Sequence, residues 1–326
     1  MSQRAPGRAH REGLSIIELM ELFPDEQSAT EWFESVLWPD GRCCGHCGST
    51  DTSPVPKQKP MPYWCSDCRS YFSVKTGTAM QRSKIPLRKW VIAIYLCLTG
   101  LKSVSSMKLH RDLKVTQKTA WFMLHRIREA WAHDPYHEEQ PFDGPVEADE
   151  TYVGGKARNM HASQRRELTG RGGVDKTAVV GVKDRATRRV AASVVMDTTG
   201  RTLRGFVESF ATPEATVYTD GEPAYAGISR QHEAVKHSVG EYVRGMAHTN
   251  GVESFWSMLK RAHVGTFHKL SPKHLNRYVQ EFAAKHNIRD SGTLAQMRDT
   301  VGRMIGRNLL YTDLIAYNGL DSGARS

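Results

Sequence analysis

The chain has 326 residues, with 45 Lys plus Arg against 35 Asp plus Glu (net +10), 39% hydrophobic residues and six cysteines. This is room for two or three domains of ordinary globular composition, and the longest apolar stretch, Trp90 to Leu98, falls far short of the roughly 18 residues a membrane span needs. The excess of positive charge suits a polyanionic partner. A basic Ser2 to Arg11 without an apolar signal core points to a cytoplasmic protein.

In chain order, residues 1–13 are expected to lack order. Two short helices follow, Ser15 to Leu22, opened by a Ser15-x-x-Glu18 capping box, and about Asp25 to Leu37, stopped by Pro39, Asp40 and Gly41. A cysteine-bearing, proline-rich segment spans 42–80. Helical periodicity then sets in. Trp90, Ile94 and Leu98 mark a helix over 86–99 closed by Gly100, a second is expected over 103–113, and a third over 116–132 with Thr116 as N-cap. After the linker to Pro145 the texture turns to strands, predicted at Val146 to Val153, Ala178 to Lys183, Val190 to Met196, Thr216 to Thr219 and, more weakly, Glu233 to His237. A helix is marked by Leu203, Phe206, Val207 and Phe210. Further helices are predicted near 250–263 and 272–287, and a basic helical tail over Thr293 to Ala316.

Cys44-x2-Cys47 and Cys65-x2-Cys68, with 17 residues between them, have the spacing of a structural zinc site. Each pair offers two thiolates from one tight turn, and two turns close a tetrahedron. Four sulfur ligands leave no open position for a substrate, which argues against a zinc-dependent hydrolase. Cys43 could replace Cys44 but leaves a less suitable spacing to Cys47, and Cys97 lies on an apolar helix.

The three helices over 86–132 have the short connections of a helix-turn-helix, in which Gln117, Lys118, Trp121 and His125 would face the major groove and Arg126 and Arg128 would hold phosphates. An ordinary helical bundle has the same pattern. Trp121 and Trp131 suit a core better than a DNA contact.

Three carboxylates stand out. Asp149 lies inside a strand-like run, Asp220 follows another, and Glu253 begins a helix. Gathered by the fold, they would supply the hard oxygen ligands that Mg2+ or Mn2+ prefer. Each also has a plain reading: Asp149 as a solvent-facing strand residue, Asp220-Gly221 as a turn, and Glu253 as the end of a capping box opened by Asn250.

Several motifs in order resemble the insertion-sequence transposases of the DDE type with an N-terminal zinc ribbon, the IS-fifteen-ninety-five group (ISXO-like). They are Trp38 to Gly41, Tyr71 to Thr78, Val146 to Lys156, Tyr218 to Gly221 and His248 to Arg261. The resemblance covers roughly residues 20–290. It implies a multidomain α+β protein: N-terminal tail and helices (1–37), zinc ribbon (38–80), helix-turn-helix DNA-binding domain (83–135), a ribonuclease-H-like α/β catalytic core with a mixed sheet (143–290) and a C-terminal helical extension (291–326). In that core the first Asp lies on the central first strand, the second at the end of the fourth, and the Glu on a late helix. Asp149, Asp220 and Glu253 map onto this acidic triad, with Asn250 a turn away as the alternative third ligand.

The implied activity is binding of terminal inverted repeats and metal-dependent strand cleavage and transfer. Its cofactors would be catalytic Mg2+ (or Mn2+) and structural Zn2+, and its partners double-stranded DNA and a second copy in a synaptic dimer or larger assembly on the nucleoid. The competing expectations are a non-catalytic DNA-binding regulator derived from a transposase and a nuclease that cuts without joining. Lys260, seven residues after Glu253, and Arg261 would contact DNA. The basic stretch Arg165, Arg166 to Arg171 and Lys176 would clamp phosphates or form a loose hairpin loop. His237 and His248 would contact DNA or metal, or serve as hydrogen-bonded structural histidines.

Overall fold

A computed structural model describes residues 12–132, 141–155, 176–235 and 248–319. Arg165, Arg166, Arg171 and His237 lie outside the described residues. Two compact units are present. One comprises the described residues up to 132 together with Ile288–Ala316, and the other the described residues from 141 to 287 with 317–319.

In the first unit, α1 (Ile16–Leu22) begins with the expected capping box. Ser15 Oγ accepts the Glu18 N–H, and the Glu18 carboxylate accepts the Ser15 N–H. α2 (Glu26–Leu37) is capped by Asp25. A three-stranded antiparallel sheet follows, β1 (Thr52–Pro54), β2 (Tyr63–Cys65) and β3 (Ser70–Phe72), in that spatial order. α3 (Leu87–Thr99) starts after Pro86, which offers no side-chain cap. Glu26 supplies it instead, its carboxylate accepting the N–H groups of Leu87 (2.6 Å) and Arg88 (3.0 Å).

α4 runs Ser106–Leu113, three residues shorter at its start than the periodicity suggests. Ser103 takes a left-handed conformation (φ 61°), and Ser105 is the residue whose hydroxyl caps the helix. Lys114, also left-handed, ends α4, and Thr116 opens α5 (Gln117–Glu129). The tail is two helices, α9 (Thr293–Gly302) and α10 (Tyr311–Ile315). α9 packs on α2 and α3. The segment between α9 and α10 bonds to the residues just after the small sheet, Gly306 N–H to Gly77 O and Ala79 N–H to Met304 O. Gly77 (φ 72°) lets that stretch cross the first cysteine turn: a Cβ there would lie 2.4 Å from the Gly45 carbonyl oxygen.

The second unit is built on a five-stranded sheet of β4 (Val146–Val153), β5 (Thr177–Asp184), β6 (Val190–Val195), β7 (Thr216–Asp220) and β8 (Gln231–Val235), in the order β6-β5-β4-β7-β8. The β4–β5 and β5–β6 pairs are antiparallel, and the β4–β7 and β7–β8 pairs are parallel. β4 is therefore central and covered on both faces, buried over Val146–Ala148 and at Thr151 and Val153, with Asp149 and Glu150 half-buried and Tyr152 exposed.

On one face, Val146, Ala148, Val180 and Val182 pack with Leu203 and Val207 of α6 (Gly200–Phe210) and with Tyr225. On the other, Val153, Val179, Val190 and Ala192 pack against α7 (Asn250–Ala262) and α8 (Pro272–Asn287). α7 turns Val252, Phe255, Trp256, Leu259 and Ala262 inward at helical spacing. Burying side chains of this size contributes about 1.5–3 kcal/mol each, which fixes the helix's rotation and leaves Glu253 and Lys260 exposed.

Candidate active site and metal centre

Strand alternation decides which side chains can meet. Along β4, residues 147, 149, 151 and 153 face α7, and residues 146, 148 and 150 face α6. In the parallel ladder Glu147 pairs with Tyr218. Asp149 and Asp220, two residues further on each strand, therefore point to the same α7-covered face. The ladder ends at that pair, so the strands part where the acids sit. The carboxyl ends of parallel strands are where ligand crevices form in such sheets.

Asp149 is half-buried, and its Oδ2 accepts the indole N–H of Trp256 at 2.9 Å. Loss of solvent pushes its pKa up to about 8, helped by the negative fields of Glu150, Asp220 and Glu253, while the Trp256 hydrogen bond opposes the shift. Asp220 ends β7, and its Oδ1 accepts the Glu222 N–H at 3.1 Å, so it also serves the turn that its sequence suggests. Glu253 sits in the first turn of α7 and accepts the Thr249 hydroxyl at 2.7 Å. Thr249, not Asn250, is the N-cap residue, which puts Val252 at the third helical position and removes the capping-box reading of Glu253.

The three acids are thus brought to one side of the sheet. Among the described residues, though, the cysteines alone converge as tightly as a ligand cluster. Like charges repel, and a carboxylate pushed up to about 8 by burial first and by neighbouring acids second would gain from a nearby positive charge. That donor chemistry fits a divalent cation.

Glu150, by contrast, points to the α6 face. It accepts the Tyr225 hydroxyl at 3.0 Å, and burial raises its pKa.

Glu147, Arg185 and Trp256 have no role assigned by the sequence, although Glu147 and Trp256 lie inside the resembling motifs, and His248 joins them. Glu147, almost fully buried, accepts the Val252 N–H (2.9 Å) and the Arg185 Nε–H (2.8 Å). It ties the strand bearing Asp149 to the helix turn bearing Glu253. Arg185 also donates to the His248 carbonyl (2.6 Å) and stacks over the Tyr218 ring. His248 packs against this ion pair, its Nδ1 accepting from the Arg185 guanidinium at 3.0 Å.

Trp256 fits only because its neighbour on β5 is Gly181, the partner of Asp149. A Cβ at Gly181 would lie 2.7 Å from the indole. Beyond the resembling motifs, the sequence clue to Glu147 was parity, since Glu147 and Asp149 share a face that a helix must cover.

Cys44, Cys47, Cys65 and Cys68 have sulfur atoms all within 4.8 Å of one another, with Cys44–Cys68 at 3.6 Å and Cys47–Cys65 at 3.7 Å. A tetrahedron with metal–sulfur bonds of about 2.3 Å has edges of about 3.8 Å, and a disulfide would need about 2.05 Å. The set could hold a structural metal such as zinc. The Cys68 N–H brings the Cys65 thiol down to about 7. Cys43 stays outside the cluster, and Cys97 is fully buried.

On α5 the outcome is split. Gln117 and Lys118 are exposed at its leading end, with Gln117 bonded to Ser106 and Lys118 over the Tyr311 ring. His125 is fully buried. Arg126 is nearly so, donating to the Leu309 carbonyl and stacking on Phe122, and Arg128 is buried as well. The expectation that His125, Arg126 and Arg128 reach DNA is corrected accordingly. The helix is covered all round in its second half, so only the first turn offers side chains outward. Lys176, Lys260 and Arg261 are exposed.

The second unit is similar to a transposase domain, a family that implies a DNA-cutting enzyme. Residues 141–287 match the model of the ISXO2-like transposase domain, and this part of the chain is similar to that family. Over 281 residues the chain is also 29% identical to an uncharacterized protein in transposable element ISH50 of Halobacterium salinarum, a match covering 82% of this chain and 93% of that protein. These similarities imply transposition as the setting and DNA as a partner. Among the described residues, no helix is long and apolar enough to cross a membrane.

Proposed function

We propose that the protein is a DNA transposase that binds the terminal inverted repeats of an insertion sequence, nicks the element end and joins it to target DNA. Asp149, Asp220 and Glu253 would hold Mg2+ or Mn2+ in a ribonuclease-H-like core. The observation that carries this reading is Asp149 itself, a central-strand carboxylate on the same sheet face as Asp220, pushed up to about 8 by burial first and then by the fields of Glu150, Asp220 and Glu253. The strand order, with three antiparallel strands and then two parallel ones, supports the same fold reading.

Divalent ions bound there supply activation of the attacking oxygen and stabilisation of the leaving one in an in-line displacement. The protein's own part is positional. Glu147 holds the first turn of α7 against β4, and Trp256 orients the Asp149 carboxylate. The displacement is direct, so no Ser or Tyr nucleophile is required. Gln117 and Lys118 on the α4–α5 helix pair, and Lys260 and Arg261 on α7, are the exposed groups assigned to DNA, with the cysteine-bearing sheet as a second reading head. Joining two element ends calls for a synaptic dimer or larger assembly.

Strand transfer of a labelled 3′-end oligonucleotide into a plasmid is the test. Asp149→Asn should abolish joining while end binding persists, and undiminished joining would remove Asp149 from the chemistry. Cutting without joining by the unaltered protein would mark a nuclease, and binding without either a regulator.

A further inference from the structure

Beside the cysteine cluster an open depression of about 400 Å³ is lined by Tyr71, Ser73, Lys75, Thr76, Arg82 and Ser83 among others, with no carboxylate in its lining. The hydrogen-bond directions within it are lopsided. Ser73 Oγ accepts the Lys75 N–H (3.3 Å), and Thr76 Oγ1 accepts the Ser73 N–H (3.0 Å). Ser83 Oγ accepts the Ile85 N–H (3.2 Å) and the Trp90 indole N–H (3.3 Å).

Three hydroxyls thus spend acceptor capacity on the protein, and their own hydrogens remain to be donated. Lys75 places two ammonium hydrogens on the carbonyls of Ser83 (3.3 Å) and Ile85 (2.6 Å), which fixes its head group and leaves a third. Burial holds this ammonium below its usual range, with Glu26 partly offsetting the shift. Glu26 itself is occupied by the backbone of Leu87 and Arg88. Arg82 is exposed at the rim, and Tyr71, 41% exposed, forms an aromatic wall backed by Trp64 at 4.7 Å.

Donors on several sides, fixed and mobile cations and no acid amount to a receptor for an oxyanion. We propose that this depression seats a backbone phosphate of the DNA, making the loop between the cysteine-bearing sheet and α3 a DNA contact separate from the carboxylate site. The inference rests on DNA being the partner of the transposase domain.

The test is fluorescence anisotropy of a fluorescein-labelled, random-sequence duplex across a salt series, without added divalent ions, using the full zinc-loaded chain. Each phosphate contact contributes about 0.9 to the slope of log affinity against log salt. Arg82→Ala should lower that slope by about 0.9 and weaken binding several-fold at low salt. Arg82→Lys should restore most of the affinity, and Arg82→Glu should weaken binding further. Arg82 is exposed, so these variants should fold, and unchanged zinc content and circular dichroism verify it.

Inorganic phosphate at fixed ionic strength separates the sources. Stronger competition against the unaltered protein than against Arg82→Ala means the site takes free phosphate as well as the DNA-linked group. Equal competition with the lowered slope assigns it to DNA alone. Slopes and affinities unchanged in both Arg82→Ala and Arg82→Glu overturn the proposal. Asp149→Asn run in parallel keeps the two readings apart: failed joining with an unchanged Arg82→Ala slope sinks the phosphate site only, and normal joining with a lowered slope sinks the carboxylate assignment only.

Discussion

Asp149→Asn should make the metal-free protein more stable, a consequence of the same crowding that suits the site to cations. The carboxylate has a pKa of about 8 in the fold, against an ordinary 3.8. Above about pH 4 the unfolded chain has released this proton and the folded chain retains it. Stability contributed by the group is therefore lost progressively as pH rises from about 4 to about 8, and is level beyond. At about pH 7 the span above the ordinary value is roughly three units, or about 4 kcal/mol at ~1.36 kcal/mol per unit. Asp149 is half-buried, and solvent screening brings a realistic figure to about 2 kcal/mol.

Asparagine does not ionise, and its amide oxygen can still accept the Trp256 indole N–H. In a domain of this size ~2 kcal/mol corresponds to a rise in Tm of roughly 4–8 °C. Thermal melts of the two proteins, free of added divalent ions, should diverge between about pH 5 and pH 8, with Asp149→Asn the higher. Added Mg2+ or Mn2+ should raise the Tm of the unaltered protein more than that of the variant. Coincident melting curves across that pH range would refute the reasoning, because they would mean Asp149 ionises freely in the fold.

Gly181→Ala forces a methyl group to 2.7 Å from the Trp256 ring and should cost about 1–3 kcal/mol, read as a lowered urea midpoint with an altered near-ultraviolet tryptophan signal. Glu147→Ala leaves the Arg185 guanidinium and the Val252 N–H without their carboxylate, an expected loss of about 3–5 kcal/mol. Equal midpoints for Glu147→Ala and the unaltered chain would exclude that role. The cysteine cluster should bind one zinc per chain, measured by release to a colorimetric chelator. Cys47→Ser or Cys68→Ser should abolish the signal, and Cys43→Ser and Cys97→Ser should leave it intact.

What the amino-acid sequence determined was local. The Ser15 and Thr116 caps, the span of β4 and the inward stripe of α7 follow from short-range hydrogen bonding and from periods of 3.6 and 2, which any window of ten residues displays. The cysteine spacing was equally legible, because each pair builds its half of the tetrahedron on its own turn. Periodicity reports which face of an element is covered and says nothing about what covers it. Only the order β6-β5-β4-β7-β8 and the Glu147–Tyr218 register bring Asp149 level with Asp220, 71 residues away in sequence. Only packing on all sides of α5 takes His125 and Arg126 out of reach of a duplex. Glu147 reads in sequence as one more acid, and becomes the link between strand and helix because a buried carboxylate must find donors, and the fold delivers Arg185 and the Val252 N–H to it.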